Sequence, residues 1–294
     1  MDSLSLYRAC ELCARRCAID REERLGYCHS GRVPKIARAA LHFWEEPIIS
    51  GTGGSGTVFF SGCSLGCVYC QNREISRSSV GRELTESELA DIMLSLEAEG
   101  AHNINFVTPT HYAPSVVAST ELARKRGLMI PIVYNTGSYD TENTVKMLDG
   151  TVDIYLPDLK YYRPESAEKL SFAKDYPTVA RRAIAEMVRQ RPTPVIEGGL
   201  MKSGVIVRIL LLPSHLAEAK LSVKYLYETY ASDIYISLMN QYTPMKGMES
   251  PLDRRVTNSE YSELVRYAER LGVINAFIQE GGTQSESFIP PFDV

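Results

Sequence analysis

The chain carries seven cysteines, and none lies beyond residue 70. Three sit together in "GCSLGCVYCQN" as Cys63-x3-Cys67-x2-Cys70; four sit near the N-terminus as Cys10-x2-Cys13-x3-Cys17-x10-Cys28. A set of three and a set of four differ in kind. Three thiolates at this spacing wrap three corners of a cubane [4Fe-4S] cluster and leave one iron open to a small molecule. A structural zinc site would want a fourth ligand, and no flanking residue is Cys or His, so zinc and plain buried thiols stand as the weaker alternatives there. Four thiolates close a tetrahedral site that suits structural zinc and equally an iron–sulfur centre, with free thiols as the bland alternative. The segment around them is too short to form a core, so a metal would supply the folding energy that burial cannot. Its arginines, Arg15, Arg16 and Arg21, are expected at a solvated surface or against a redox partner or anionic substrate.

The elements that must position these thiols follow from periodicity. Nearly continuous apolar runs at 57–62, 103–108, 129–135, 152–158, 205–212 and 233–240 read as strands buried on both faces. Between and after them, 85–100, 114–126, 141–149, 176–190, 215–230 and 258–271 read as helices. The first of these opens on Thr85 with Glu88 three residues on, a capping-box pattern. Six βα units in series predict an α/β fold, a partial parallel (β/α)6 barrel with an N-terminal Cys-rich metal module. The expected boundaries are 1–50 for the module and linker, 51–272 for the barrel, and 273–294 for a tail packing on it. "GTGGSG" at 51–56 fits a dinucleotide-loop pattern, but it precedes a strand and opens no helix, so it reads as a turn. Cys63, Cys67 and Cys70 then fall in the loop at the C-terminal end of the first barrel strand. "VTPTHY", "YNTGSY", "PDLKYY", "LLPSH" and "MNQYTP" fall at the same edge, where parallel α/β folds bind ligands. "ALHFWEEPIISG" at 40–51 holds the only tryptophan; Phe43 and Trp44 are expected to close the open side, with Glu45 and Glu46 facing the cavity or simply packing between modules.

Composition narrows the setting. With 44% hydrophobic and 23% charged residues and a net charge of −4, the chain has mass for a sizeable core and no electrostatic reason to bind nucleic acid or an anionic membrane. No window approaches the roughly 18–20 apolar residues of a membrane span. A cytoplasmic location is expected, where clustered thiols serve metals or catalysis before disulfides.

Cys-x3-Cys-x-aromatic-Cys after the first strand of a partial parallel barrel, with Tyr69 in the aromatic position, resembles the signature of the radical S-adenosylmethionine (radical SAM) enzymes. That resemblance implies a [4Fe-4S] cluster on Cys63, Cys67 and Cys70 whose open iron binds S-adenosyl-L-methionine. One electron then splits the sulfonium to methionine and a 5'-deoxyadenosyl radical, which abstracts hydrogen from substrate. "CVYCQN", "YNTGSYD", "VDIYLPDLKYY" and "VRILLLPSH" resemble the activating enzymes of glycyl-radical proteins, typified by pyruvate formate-lyase activating enzyme. By that resemblance Tyr69 meets the adenine, and Asn135, Asp158, Lys160 and Arg208 approach cofactor or substrate. Without it, Asp158 and Lys160 read as a surface ion pair, and Arg208, inside an apolar strand, must have a partner. The family's Gly-Gly-Glu-Pro-like turn after the second strand is replaced here by "VTPTHYAP", which leaves Thr108, Thr110 and His111 to meet the cofactor's amino end or the substrate. The implied partners are a flavodoxin or ferredoxin as reductant and a glycyl-radical protein as substrate, and the implied enzyme is oxygen-sensitive. The same radical acting on a small molecule or other peptide is the alternative within the chemistry, and a non-catalytic metal-binding scaffold is the alternative outside it.

Overall fold

A computed structural model describes residues 3–77 and 80–279. The chain joins the sheet earlier than expected. After a 3-10 turn (Ser3–Tyr7) and the cysteine-bearing segment comes strand β1 (Lys35–His42). It leads through the one-turn helix α1 (Pro47–Ser50) into β2 (Ser55–Phe60), with which it pairs antiparallel, Ala40 opposite Thr57. Residues 35–42 therefore belong to the sheet, not to an appended module. Helix α2 (Arg73–Ser76) and the two-residue strand β3 (Arg82–Glu83), which pairs with β1, lead to α3 (Glu86–Ala98). The alternation then runs β4 (Ile104–Val107), α4 (Ala113–Lys125), β5 (Ile132–Thr136), α5 (Glu142–Met147) and β6 (Ile154–Pro157). It continues with α6 (Pro164–Ser171), α7 (Tyr176–Gln190), the hairpin β7 (Val195–Glu197) and β8 (Leu200–Leu210), α8 (Leu216–Tyr230), β9 (Tyr235–Met239), α9 (Asn258–Leu271) and β10 (Ala276–Ile278).

The sheet order is β10-β9-β8-β6-β5-β4-β2-β1-β3, and every pairing from β2 to β10 is parallel. All six expected strands are present. β10, in the stretch read as the tail, adds a seventh; residues 280–294 of that tail lie outside the described residues. Capping is as predicted: the Thr85 side chain accepts from Glu88 N while Glu88 returns the bond, and α3 starts there. Helix α6 was not expected, since eight residues beginning with Pro carry too little periodicity to separate from a loop.

Strand alternation sorts the core. Val133, Ile154, Leu156 and Ile206 turn to the concave face and cluster with Ile49 and Met201, so α1 fills the barrel's interior. Tyr134, Tyr155, Val205 and Val207 turn the other way into the larger core beneath the helices. The concave positions further along the strands are polar: Asn105, Asn135 and Arg208 alternate with outward apolar residues. Among the described residues no helix is long and apolar enough to cross a membrane. Because Ile49 is 1% exposed in the interior cluster, Ile49→Ala is expected to cost about 2–4 kcal/mol in chemical denaturation, with the denaturant slope unchanged.

Candidate functional site

The three-cysteine loop starts two residues after β2 ends. Gly62, with φ of 88°, turns the chain in the left-handed region, and a Cβ there would lie 2.3 Å from Ser30 Oγ and 2.4 Å from the Cys28 carbonyl oxygen. Only glycine lets the loop press this closely on the N-terminal segment. Cys63, Cys67 and Cys70 are half-buried. The Ser171 hydroxyl, at the end of α6, donates to Cys67 Sγ at 2.9 Å and accepts from the Tyr161 hydroxyl at 2.6 Å; the Tyr161 and Tyr69 hydroxyls share a further hydrogen bond of 2.8 Å. A line of hydroxyls thus connects the aromatic residue of the motif to one of its sulfurs. Burial, and then the other two thiols, push Cys70 up to about 12, and burial followed by Cys67 raises Cys63.

A cavity of about 220 Å³ opens beside the loop. Cys67, Tyr69 and Cys70 line one side, and Asn135, Asp158, Lys160 and Arg208 the other. Arg208 on β8 donates from Nε to Asp158 Oδ1 (2.9 Å), from one terminal nitrogen to Glu45 Oε1 (3.1 Å) and from the other to Asn135 Oδ1 (2.6 Å). Glu45 Oε2 in turn accepts from Asn135 (3.1 Å) and Asn105 (2.9 Å). Lys160 Nζ reaches Asp158 Oδ2 at 2.5 Å. The Asp158–Lys160 pair is therefore no surface pair: the side chains are 14% and 18% exposed. Burial alone would raise Asp158, but Arg208 and Lys160 overcome it and hold the carboxyl below its ordinary value. Glu45 is the residue that sequence reasoning left undecided, because its partners lie 60, 90 and 163 positions away.

Thr108, Thr110 and His111 are not among the residues that line this cavity. Thr108, half-buried with φ of 57°, stands just past Val107, which does line it. Thr110 turns inward to Thr136 (3.1 Å), and His111, 1% exposed, bonds through Nε2 to the Ser61 carbonyl at 2.8 Å. Burial and the Arg21 charge push His111 down to about 3, so it is neutral and packed, not a proton carrier at the rim.

The N-terminal segment lies over the C-terminal ends of the strands. Ala14 N donates to Tyr139 O (3.1 Å), Thr141 N to Leu12 O (3.1 Å), and the Tyr7 hydroxyl bonds Ser115 (2.9 Å). Arg15 is not solvated: it donates to the carbonyls of Ser64 (2.9 Å), Leu65 (3.3 Å), Ser171 (3.0 Å) and Phe172 (2.5 Å), clamping the cysteine loop to the end of α6. Cys10, Cys13 and Cys28 are buried and Cys17 half-buried. A Cβ on Gly26 would sit 3.4 Å from Cys28 Sγ and 3.7 Å from Cys17 Sγ, so those two sulfurs share one small space. Arg16, Ala18 and His29, beside these cysteines, have φ of 43°, 51° and 58°, tight turns held by non-glycine residues. Arg21 is 2% exposed, stacks on Tyr7 and Tyr112, and donates to the carbonyls of His111 and Gly31. All seven thiols are free, and among the described residues no three Cys, His, Asp or Glu side chains already stand in metal-holding geometry.

The family model of the radical SAM superfamily matches residues 57–213, just over half of the sequence. The chain belongs to the radical SAM superfamily. An uncharacterized protein of Methanocaldococcus jannaschii is 28% identical over 277 residues, covering 90% of this chain and 76% of that one. Among solved structures, HydG, a maturase of the [FeFe]-hydrogenase, superposes with a TM-score of 0.50 at 16% identity, over 74% of this chain and 49% of HydG, a likeness of fold alone. A domain of pyruvate-formate lyase-activating enzyme from Bacteroides vulgatus gives a TM-score of 0.44 at 14% identity, over 60% of this chain and 98% of that domain. Enzymes of this superfamily use a [4Fe-4S] cluster with S-adenosylmethionine. The donor set on the cysteine loop fits that pair: three thiols from one loop leave a corner free, and the cavity beside them offers both signs of charge for a zwitterionic ligand.

Next to Glu45, the Glu46 side chain is buried and in no ion pair among the described residues; burial and the Glu45 charge push it up to about 7 from 4.5, against the opposing pull of Arg208 and a bond to Ser237. A carboxyl raised on folding binds protons more tightly in the native state, so it withdraws stability as pH rises from about 4.5 through about 7. Glu46→Gln is accordingly expected to match the wild type below pH 4.5 and to exceed it above pH 7, by about 3 kcal/mol at most, in urea melts run across that range.

Proposed function

We propose that this radical SAM enzyme is an oxidoreductase that abstracts hydrogen from a glycine of a partner protein, in the manner of the glycyl-radical activating enzymes. The observation that carries the reading is the cysteine loop facing, through Cys67 and Cys70 across one cavity, a wall of Asn135, Asp158, Lys160 and Arg208. These residues come from the separate stretches that resemble the activating enzymes, and the fold brings them together with Tyr69. Cys63, Cys67 and Cys70 would hold a [4Fe-4S] cluster, which would supply the electron for reductive cleavage of S-adenosylmethionine to methionine and a hydrogen-abstracting 5'-deoxyadenosyl radical. The chain's own part is positioning. Arg208, satisfied by three acceptors, fixes Asp158 and Asn135 in the wall. Lys160, held by its ion pair with Asp158, sets an ammonium within the field of the Cys67 sulfur, where it can meet a carboxylate. Tyr69, 5% exposed, closes the apolar end against Tyr161 and Tyr242. A flavodoxin or ferredoxin is the reductant, and the setting is cytoplasmic and anaerobic. A second reading, the same radical acting on a small molecule or another peptide, is favoured by a further chamber adjoining this cavity.

Cys10, Cys13, Cys17 and Cys28 are the ligands of a second metal, zinc or an iron–sulfur centre. Arg21 supports this: a tetrathiolate centre is anionic, and Cys28 and Cys10 are among the groups whose charge favours the buried guanidinium, none of which is a carboxylate. Glycyl activation, the reductant and the second metal all rest on this reading.

Anaerobic protein reconstituted with iron and sulfide, then reduced in the presence of S-adenosylmethionine, is expected to form 5'-deoxyadenosine, with Cys67→Ala silent. Cluster-loaded protein that leaves S-adenosylmethionine intact would sink the reading. An electron paramagnetic resonance signal on a co-incubated glycyl-radical protein separates glycine from small-molecule substrates. Metal analysis of Cys13→Ser is expected to show loss of the second metal while the cluster absorbance from Cys63, Cys67 and Cys70 remains.

A further inference from the structure

A second chamber, of about 450 Å³, opens between α1 and the strands β9 and β10. It shares Trp44, Glu45, Met239 and Gln241 with the cysteine cavity, so the two adjoin along a common wall. It also lies on the side where the sheet does not close, between the β1 segment and β10 at the opposite edge. Its aromatic lining is open to an entering group: Trp44 is 66% exposed and Phe43 51%.

The polar lining is unevenly satisfied. Gln241 and Gln279 bond each other at 3.2 Å, and Gln279 Oε1 also accepts from Asn240 N at 2.9 Å. Glu46 is different. It is 8% exposed, its Oε2 has no hydrogen-bond partner, and the side chain it bonds is the neutral Ser237. The cations next door are already committed: Arg208 and Lys160 are ion-paired with Asp158 and Glu45, so Arg208 offsets Glu46 only in part and without contact. Glu46 is a fifth ionisable group that forms no ion pair among the described residues, and a buried carboxylate in that position is costly unless a cation arrives. An anionic ligand would meet Glu45 and Glu46 together, and a neutral amide would leave the carboxyl as it is. A cation would meet both a carboxylate and an aromatic face, the pairing that ammonium and guanidinium groups favour.

We infer that this chamber is a substrate subsite for a cationic nitrogen, an ammonium or guanidinium carried by the substrate, with Glu46 as its counter-charge and Trp44 and Phe43 as its walls. The inference rests on the proposed function for calling the ligand a substrate, and it names the chemistry that substrate must present. It assigns Glu46 to substrate selection and not to radical formation.

The sole tryptophan lies in the chamber wall, so its emission reports occupancy without turnover. Metal-loaded anaerobic protein is titrated with Nα-acetyl-lysine methylamide, with its Nε-acetylated neutral counterpart, and with cadaverine as a free amine, read by Trp44 emission and by calorimetry. Saturable binding of the cationic probes is expected, weakened on the order of tenfold or more both by Nε-acetylation and by Glu46→Gln. The lysine derivative exceeding cadaverine points to a peptide source, and the reverse to a small amine; either supports the subsite. Equal binding of the neutral and cationic lysine probes to the wild type overturns the inference even if the variant does not fold. Unchanged affinity in folded Glu46→Gln also overturns it, as does a loss of S-adenosylmethionine affinity in that variant equal to the loss for the probes, which would make Glu46 a counter-charge for the cofactor. Formation of 5'-deoxyadenosine by the same preparation reports separately on the proposed function, so the two can fail independently.

Discussion

A guanidinium drawn out of water into a barrel must find an acceptor for each nitrogen, or the fold bears the cost of a bare buried charge. Arg208 is that group here. Its three acceptors come from the end of β5, the residue after β6 and the turn before α1, so one side chain draws three separate parts of the chain into a single rim. Glu45 completes the arrangement by reaching across to Asn105 on β4. The interior layer below is aliphatic and filled by α1; the layer above is polar and closed on itself. What the cavity presents to a ligand is therefore already oriented, with little left to reorganise on binding.

The N-terminal segment is part of the same construction. It does not hang beside the barrel as a separate knot. It crosses the mouth, presses the Cys28 carbonyl against Gly62, and grips the cysteine loop through Arg15. The two cysteine sets are consequently neighbours through main-chain contact, and the shape of one loop depends on the shape of the other. The buried Arg21 ties this cover to the barrel as well, since it donates to the His111 carbonyl at the turn after β4.

How much of this was legible in the sequence depended on range. The Thr85–Glu88 capping box, the six parallel strands and the cysteine loop are written in residues within a few positions of one another, and the structure places them as read. Tyr69, Asn135, Asp158, Lys160 and Arg208 line one cavity, Arg208 from within β8 and the others from strand ends and the loops that follow them. What escaped was decided over distance. Strand β1 alternates only weakly in "KIARAALH" and becomes a strand by pairing with β2. Arg15 and Arg21 looked like surface charge because their acceptors are backbone carbonyls, which leave no mark in a sequence. His111 looked like a rim group because its position after β4 was right; only packing turns its ring to the Ser61 carbonyl. The short β10 needed β9 beside it to be recognisable at all.

The grip of Arg15 has a bearing on how this protein tolerates sequence drift. All four of its acceptors are main-chain oxygens, at Ser64, Leu65, Ser171 and Phe172, and a carbonyl is the same whatever side chain follows it. Positions 64, 65 and 172 are thus free to vary as far as this clasp is concerned. Position 15 is not, for a single ammonium in place of the planar fork has neither the donors nor the span to hold two separate loops at once.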